Sequence, residues 1–338
     1  RAGAAGRRAH ARHAARSRHD AGPAQRCRVG LRPPPAAGAR APAVAATAAA
    51  SAGGARQVVA DYVALTKPKV QSLLLLTTVT SMYVAGDPSV ALVLATCLGG
   101  YLSAGGAGAV NHYWDRDIDA QMERTATRPI PAGRIAPRAA LWFGIGLAAL
   151  SFVELTVFVN VLAASLALCG FLGYVLVYTV WLKRSTPQNI VIGGAAGAVP
   201  PLVGWAAVTG GLAGEAIYMF AIVFFWTPPH FWALALLMKD EYAKVGVPML
   251  PVARGERETR RQILLYSVLL YAVTQLPFCA GGMGAFYLAA SMTLGALFIA
   301  GAVVLYRRAD RRSALRLYLY SLLYLALLFA AMVIDVRI

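Results

Sequence analysis

The sequence predicts an all-α, polytopic membrane protein with nine transmembrane helices. Of its 338 residues, 58% are hydrophobic and only 14% are charged, whereas soluble domains contain about 45–50% apolar and about 25% charged residues. Nine apolar stretches of 17 to 23 residues follow one another along the chain. Each is long enough to cross a hydrocarbon core about 30 Å thick, so the bilayer is the expected solvent of this chain.

The distribution of basic residues agrees with nine spans. The spans are predicted at residues 70–86, 89–110, 139–159, 161–182, 190–209, 216–238, 262–281, 284–306 and 317–334. After Arg56 the chain has 21 Lys and Arg residues, of which 20 fall on one side of these spans and only Arg337 on the other. Because cytoplasmic or matrix loops are enriched in Lys and Arg, the polar loops are predicted to lie on that positive-inside face.

The first 56 residues have a different composition from the rest of the chain. They contain 11 Arg, no Lys and a single acid, Asp20, which is typical of an organellar transit peptide. We therefore predict a disordered or cleaved segment at 1–56, a membrane domain at 57–338, and a mitochondrial inner-membrane protein with its acidic loops facing the matrix. A low-complexity tail without a targeting role is the alternative. This segment supplies much of the net charge of +17, so the charge is no indication of nucleic-acid binding and no nucleic-acid partner is expected.

The segment N-H-Y-W-D-R-D-I-D closes the second predicted span and contains the first candidate site. Asn111, Asp115 and Asp119 are spaced i, i+4 and i+8, so they share one face of a helix. Magnesium prefers carboxylate oxygens and completes its shell with water or phosphate oxygens. The spacing predicts a Mg²⁺ site for these three residues, whereas Asp117 projects from another face as an ion-pair or solvent residue. A solvated helix end is the alternative.

Basic and amide side chains near this motif are predicted to bind a diphosphate. Arg124 and Arg128 follow the acids directly, and Lys183, Arg184 and Asn189 lie in the loop K-R-S-T-P-Q-N between the fourth and fifth spans. For that second loop, ordinary positive-inside anchoring is an equally good interpretation.

A second acidic cluster follows the sixth span, in L-M-K-D-E-Y-A-K. Asp240 and Glu241 are predicted to hold a second metal ion, with Lys239 or Lys244 neutralising phosphate oxygens and Tyr242 also contacting substrate. Which of the two carboxylates binds the metal remains open at this point.

At these residues the chain resembles the UbiA-type intramembrane prenyltransferases. The resemblance runs from L-T-K-P at 65–68 to the ninth span, and its most specific parts are N-H-Y-W-D-R-D-I-D-A-Q-M-E-R-T-A-T-R-P-I-P-A-G-R-I, T-P-Q-N and W-T-P-P-H-F-W-A-L. It implies a nine-helix bundle with a central cavity, in which Mg²⁺ and two acidic loops bind a prenyl diphosphate. T-P-Q-N and P-P-H-F-W indicate the haem-modifying branch.

That branch implies transfer of the farnesyl group of farnesyl diphosphate to a vinyl group of haem B, with addition of water. The product would be haem O, and a downstream haem A synthase would be a partner. His230 is the preferred candidate for contact with haem and His112 the other; Pro228 and Pro229 are expected to break the helix beside His230. A prenyltransferase acting on a quinone precursor or chlorophyll-type acceptor is the first alternative, and a transporter the second.

Overall fold

Every regular element in the described part of the chain, residues 54–338 of a computed structural model, is helical. The transit-peptide prediction falls almost wholly outside these residues. The helices are α1 (Ala55–Leu65), α2 (Pro68–Ala85), α3 (Val90–Trp114), α4 (Arg116–Asp119), α5 (Pro137–Phe158), α6 (Val161–Leu172), α7 (Asn189–Gly197), α8 (Val199–Thr209), α9 (Gly214–Leu237), α10 (Lys239–Lys244), α11 (Leu250–Ala253), α12 (Gly255–Val273), α13 (Leu276–Cys279), α14 (Ala285–Arg308) and α15 (Arg311–Asp335). A π-helical segment, Gly173–Leu182, continues α6.

Eight of the nine predicted spans correspond to segments that are long and apolar enough to cross a membrane. These are Val90–Trp114, Pro137–Phe158, Val161–Leu182, Asn189–Thr209, Gly214–Leu237, Gly255–Cys279, Ala285–Arg308 and Arg311–Asp335. The prediction of an all-α, multi-span protein is confirmed for the described residues, whereas the count of nine is not.

The first predicted span coincides with α2, an 18-residue helix whose hydropathy over a membrane-length window is below that of the other eight segments. Its polar residues Gln71, Thr77, Thr78, Thr80 and Ser81 are buried inside the bundle. Their hydroxyl and amide groups find partners there, as when Ser81 Oγ donates to Pro201 O at 2.6 Å. Hydropathy alone therefore understates how deeply α2 is embedded.

Close backbone packing fixes the position of α3, the helix that carries the first acidic motif. Gly106 on α3 faces Gly144 on α5, and a Cβ added at either glycine would lie 2.6–2.7 Å from the other's carbonyl oxygen. Such small-residue contacts let membrane helices approach closely. They hold the last turn of α3, which contains Asn111, at a fixed height in the bundle.

Prolines interrupt one membrane helix but not the one predicted. The fifth span breaks at Ala198, just before Pro200 and Pro201, which separates α7 from α8. By contrast, α9 continues through Pro228 and Pro229, so the predicted break beside His230 was wrong. Membrane helices tolerate proline where neighbouring helices support the interrupted turn; here Trp226 Nε1, two residues before Pro228, donates to Ser321 O of α15 at 2.8 Å.

The largest hydrophobic cluster lies among α9, α12, α14 and α15. Its biggest enclosed side chains include Trp232, Tyr287, Phe298 and Tyr324. Between membrane helices such side chains stabilise the arrangement through close van der Waals packing, so these residues give α9 a rigid support. The chain segment that carries His230 is therefore well fixed.

Candidate active site

The first acidic cluster, Asn111, Asp115 and Asp119, lies at the positive-inside end of α3 and in α4. Asn111 occupies the last turn of α3, Asp115 ends that helix, and Asp119 ends α4. All three side chains are buried, with 3%, 1% and 4% of their surface exposed. The structure therefore gathers the three predicted metal ligands in one enclosed place.

Asp115 is surrounded by donors. Asn111 Nδ2 donates to Asp115 Oδ2 at 2.7 Å, Lys183 Nζ pairs with the same oxygen, and Arg184 Nη2 lies 3.5 Å from Oδ1. A buried carboxylate stays charged only when such partners replace its lost hydration. The predicted residues Lys183 and Arg184 thus do reach the acidic motif.

Asp119 is held by Arg128, another predicted residue. Arg128 Nη1 lies 2.7 Å from Asp119 Oδ2, and the Thr125 hydroxyl donates to the Asp119 carbonyl at 2.8 Å. Asp117 instead points outwards, where its Oδ1 lies 2.7 Å from Arg184 Nη2. The prediction that Asp117 forms an ion pair is confirmed, and Arg184 connects the buried and exposed acids.

Lys67 belongs to the same cluster, although its sequence position did not predict this. Its Nζ donates to Asn111 Oδ1 at 2.6 Å, and its backbone adopts a left-handed φ of 54° at the start of α2. Burial and the neighbouring Arg128 and Lys183 lower the pKa of Lys67 to about 7. The only sequence signal was Lys-Pro at the positive-inside end of a span, which reads equally well as membrane anchoring.

The π-helical segment Gly173–Leu182 explains how Lys183 reaches Asp115. It presents Thr179, which is fully buried, to Asn111 Nδ2 at 3.2 Å, and its last backbone turn leads directly into Lys183. π-helical turns are rare and occur frequently at functional sites. Their wider turn changes which side chains share a face, so an α-helical period could not predict Thr179.

The second acidic cluster, Asp240 and Glu241, is held far more loosely than the first. Both residues lie on α10, a six-residue helix without a fully buried residue. Asp240 is exposed, whereas Glu241 turns inwards and its enclosed Oε2 has no hydrogen-bond partner among the described residues. An enclosed, unpaired carboxylate oxygen is costly unless a ligand completes it, which favours Glu241 over Asp240 as the metal ligand.

The remaining predicted residues differ in how they relate to these clusters. Asn189 is fully buried near Lys183, with its Oδ1 unpaired in the described part of the chain. Tyr242 is half-buried against the main hydrophobic cluster, and Lys244 Nζ lies 4.0 Å from Glu123 Oε1, which links the two acidic loops. Arg124 is exposed; the structure does not bring its side chain to either cluster.

The two histidines of the described chain have different surroundings. His112 is buried beside Asn111, and neither ring nitrogen has a hydrogen-bond partner within residues 54–338. His230 is buried on α9, stacked between Trp226 and Tyr318 at centroid distances of 4.2 and 4.9 Å. Its Nδ1 lies 2.6 Å from Ser321 Oγ. Only His112 adjoins the first acidic cluster.

The donors of these clusters suit a hard cation. In the described residues no group of three or more His, Cys, Asp or Glu side chains is placed to hold a metal ion, so a metal at the first acidic cluster would share its coordination with Asn111 and with ligands that are not side chains of these four types. Two carboxylates and one amide oxygen remain sufficient for Mg²⁺, since this ion usually binds through one or two carboxylates together with water and substrate phosphates.

Comparison with known proteins agrees with the fold. Residues 74–330 match the model of the UbiA prenyltransferase family. A curated protoheme IX farnesyltransferase of Roseiflexus sp. is 56% identical over 284 residues, which cover 83% of this chain and 53% of the relative. One of Symbiobacterium thermophilum is also 56% identical, with 83% of this chain and 95% of the relative covered. The chain spans about half the length of several curated relatives it matches.

Solved structures share the fold at low sequence identity. A structure of digeranylgeranylglyceryl phosphate synthase aligns with a TM-score of 0.69 at 19% identity, covering 82% of this chain and 98% of that one. A UbiA homologue from Archaeoglobus fulgidus, solved with DMAPP and Mg²⁺, aligns with a TM-score of 0.62 at 18% identity, covering 80% and 99% of the two chains. Together with the family match, these results show that the chain belongs to the UbiA prenyltransferase family.

Proposed function

We propose that this protein transfers the farnesyl group of farnesyl diphosphate to a vinyl group of haem B, with addition of water, to give haem O for haem A biosynthesis. The observation that carries the proposal is the buried Asp115 and Asp119 pair, ringed by Lys67, Arg128 and Lys183. The choice of haem B as acceptor is supported by the bacterial relatives named protoheme IX farnesyltransferase, one of which is covered almost completely by this chain.

In this proposal the first acidic cluster holds Mg²⁺ through Asn111, Asp115 and Asp119, and Glu241 contributes from the second acidic cluster. Bound Mg²⁺ supplies positive charge that stabilises a departing diphosphate. The fit is supported by the oxygen-only donor set and by the unpaired Oε2 of Glu241. Asp240, which is exposed, is assigned the lesser role.

The cations of the site have a second task in the proposal. Arg128 and Lys183 now pair with the buried carboxylates and Lys67 donates to Asn111 Oδ1, and the same side chains bind the diphosphate oxygens when substrate arrives. Fixed charges in a site with little water stabilise developing negative charge more strongly than solvent does. Ionisation of the allylic C–O bond is thereby favoured without a covalent nucleophile on the protein.

Aromatic side chains next to the cations shelter the farnesyl cation from water. Tyr174 and Tyr178 lie on the π-helical segment that leads to Lys183, with ring centroids 5.3 Å apart. The face of an aromatic ring attracts a nearby cation. The haem vinyl group attacks the farnesyl carbon, and water then adds to the new cation and loses a proton, which leaves the hydroxyl group of haem O.

We further propose that the acidic loops face the mitochondrial matrix, that residues 1–56 are a transit peptide, and that a haem A synthase takes up the product. The Arg-rich composition of the first 56 residues supports import, whereas the curated relatives are bacterial. Protease added to mitoplasts should spare the loops that contain Arg124 and Arg257. Cleavage at these residues in intact mitoplasts would place the loops on the other side.

Product analysis tests the proposed reaction. Purified protein in detergent is incubated with farnesyl diphosphate, Mg²⁺ and either haem B or 4-hydroxybenzoate. Haem O should form and 4-hydroxybenzoate should remain unmodified. Prenylation of 4-hydroxybenzoate without haem O would instead assign the chain to the quinone-precursor enzymes. For variants of the buried acids Asp115 and Asp119 in the same assay, Asp117→Asn serves as the matched control, because this acid lies outside the buried cluster.

A further inference from the structure

Five arginines lie close together where α14 turns into α15, at the positive-inside end of the bundle. This set, which we call the arginine turn, consists of Arg307, Arg308, Arg311, Arg312 and Arg316. Only Ala309, with a left-handed φ of 56°, and Asp310 separate the two helices. Because the connection is so short, it holds the end of α14 beside the start of α15, and the five positive charges form one patch.

The arginine turn makes no ion pair within residues 54–338. The acid in the turn, Asp310, instead accepts a hydrogen bond from Ser313 N at 2.6 Å and caps α15. Arg311 Nη1 donates to the carbonyl oxygen of Leu237 at 3.0 Å. Eight basic side chains elsewhere on the positive-inside face do pair with carboxylates: Arg128, Arg134, Lys183, Arg184, Lys239, Lys244, Arg260 and Arg261.

The fold itself gains little from these cations. Arg311 and Arg312 occupy the first turn of α15, where the partial positive charge of the helix end disfavours Lys and Arg. Arg312 and Arg316 are spaced i, i+4, and like charges at that spacing repel each other. All five arginines are exposed, so burial in the bundle does not account for the patch either. A negatively charged partner would relieve both unfavourable interactions.

Exposed leucines continue from the arginines along one stripe of α15. Arg312 and Arg316 share this stripe with Leu319, Leu323 and Leu327, at intervals of three and four residues. The three leucines are 53%, 53% and 44% exposed, on a helix that is long and apolar enough to cross a membrane. One face of α15 therefore presents charge at the membrane surface and apolar side chains below it. That pattern is complementary to a phospholipid, whose anionic headgroup lies above its acyl chains.

We propose that the arginine turn binds the phosphate group of an anionic phospholipid in the positive-inside leaflet, with an acyl chain along the leucine stripe of α15. The planar guanidinium of arginine can donate two parallel hydrogen bonds to one phosphate. Basic clusters directly beside spanning helices on this side of a membrane are typical sites for anionic headgroups. General positive-inside anchoring would be supplied by any equal set of charges, whereas a headgroup site requires the arginines at this turn. The inference is independent of the proposed reaction.

The proposed lipid site and the proposed diphosphate site use different residues. The carboxylates of Asp115 and Asp119 are paired with cations from other loops, and no residue of the arginine turn is among them. Arg311 is left unaltered in the test, because it contacts Leu237 at the end of α9, directly before the second acidic cluster. Substitution of Arg312 and Arg316 should therefore affect lipid binding without affecting farnesyl diphosphate.

The test is the affinity of the full-length protein, purified in neutral detergent, for phosphatidylglycerol, measured by native mass spectrometry. Phosphatidylcholine is the lipid without net charge. Combined Arg312→Gln and Arg316→Gln substitutions should weaken phosphatidylglycerol binding by about tenfold or more, because two phosphate-binding charges are lost. Combined Arg312→Lys and Arg316→Lys substitutions keep the charge and should retain most of the affinity.

The matched control removes two other arginines with the same spacing from the same face of the membrane. Arg257 and Arg261 are exposed and spaced i, i+4 near the start of α12, where Arg261 Nη1 lies 3.5 Å from Glu258 Oε2. Combined Arg257→Gln and Arg261→Gln substitutions lower the net charge by the same amount as the substitutions in the arginine turn. Phosphatidylglycerol affinity should stay at the wild-type value in this control.

Thermal unfolding in neutral detergent and farnesyl diphosphate affinity are measured in the same preparations. The inference is supported if only the Arg312→Gln, Arg316→Gln protein loses phosphatidylglycerol affinity while its unfolding temperature and its diphosphate affinity match wild type. It is overturned if wild type binds phosphatidylglycerol no more tightly than phosphatidylcholine, or if the control variant loses as much affinity. A parallel loss of farnesyl diphosphate affinity would also overturn it, as would displacement of the lipid by an equal concentration of inorganic phosphate.

Discussion

The two acidic clusters differ in how far they are assembled before any ligand binds. In the first acidic cluster, Asp115 and Asp119 are buried and each oxygen pair faces fixed donors. In the second, Asp240 is exposed and Glu241 has an enclosed oxygen without a partner. Buried charges persist only when they are paired, so the first cluster is a rigid, charge-balanced half of the site, and the second is the half that a ligand must complete.

The largest loss of turnover is expected when a carboxylate of the first acidic cluster is removed. Asp115→Ala and Asp119→Ala should each lower turnover by at least about 10²–10³-fold, the loss seen when one group that stabilises developing charge is removed. Asp115→Ala also leaves Lys183 without its buried partner, so thermal unfolding is measured alongside haem O formation. Asp115→Asn, which keeps the shape, separates catalysis from folding. Full activity in Asp119→Ala would refute the site assignment.

In the second acidic cluster, substitutions of the two carboxylates should differ in their effect on turnover. Glu241→Gln should reduce turnover by at least about tenfold, because its enclosed oxygen is the one proposed to bind the metal ion. Asp240→Asn, the neighbouring matched control, should retain most of the activity because Asp240 points to solvent. Steady-state haem O formation at saturating Mg²⁺ measures both. The reverse order of effects would show that Asp240 is the ligand.

Removing a cation from the rigid half should weaken diphosphate binding. Lys67→Met should raise the dissociation constant of farnesyl diphosphate by about tenfold, which corresponds to roughly 1.4 kcal/mol. The exposed Lys69, two residues further along the chain, gives the control variant Lys69→Met, for which no change is expected. Titration calorimetry measures the farnesyl diphosphate affinity of the Lys67→Met and Lys69→Met variants. Equal affinities in the two variants would exclude Lys67 from the diphosphate site.

The smallest effect on turnover and stability is expected at Asp117, the exposed acid beside the first acidic cluster. The hydrogen bond from Arg184 lowers the pKa of Asp117 to about 2, so the ion pair stabilises the fold fully above the unfolded pKa, near 4, and this contribution is lost as the pH falls through about 2. Such exposed pairs contribute at most about 1 kcal/mol. Asp117→Asn should therefore leave turnover at pH 7 unchanged and alter thermal stability only slightly. A tenfold loss of turnover would place Asp117 in the metal site.

Local spacing predicted the rigid half well and the rest poorly. Asn111 and Asp115 lie at the end of α3 and Asp119 follows on α4 at the same spacing of four residues, whereas Asp117 faces away, as an α-helical period predicts. Lys67 contacts Asn111 from 44 positions away in sequence and has a left-handed backbone conformation. Thr179 contacts Asn111 from a π-helical segment. A local residue pattern predicts neither long-range packing nor a change of helical period.

The proline predictions show a related limit. Pro200 follows a real break, whereas Pro228 and Pro229 lie inside an intact helix. The sequence contains proline at both places, and the intact turn is connected to α15 by the hydrogen bond from Trp226 Nε1 to Ser321 O. Whether a membrane helix breaks at proline is therefore decided by tertiary contacts that the dipeptide itself does not reveal.

The most direct test of the account is whether farnesyl diphosphate binding depends on magnesium. Farnesyl diphosphate is titrated calorimetrically into purified protein without haem, once with Mg²⁺ and once with EDTA. Because Asp115, Asp119 and Glu241 are assigned to the metal and not to the phosphate oxygens, we predict that affinity falls roughly tenfold or more when Mg²⁺ is removed and returns when it is restored. Equal affinity with Mg²⁺ and with EDTA would contradict the assignment of both acidic clusters.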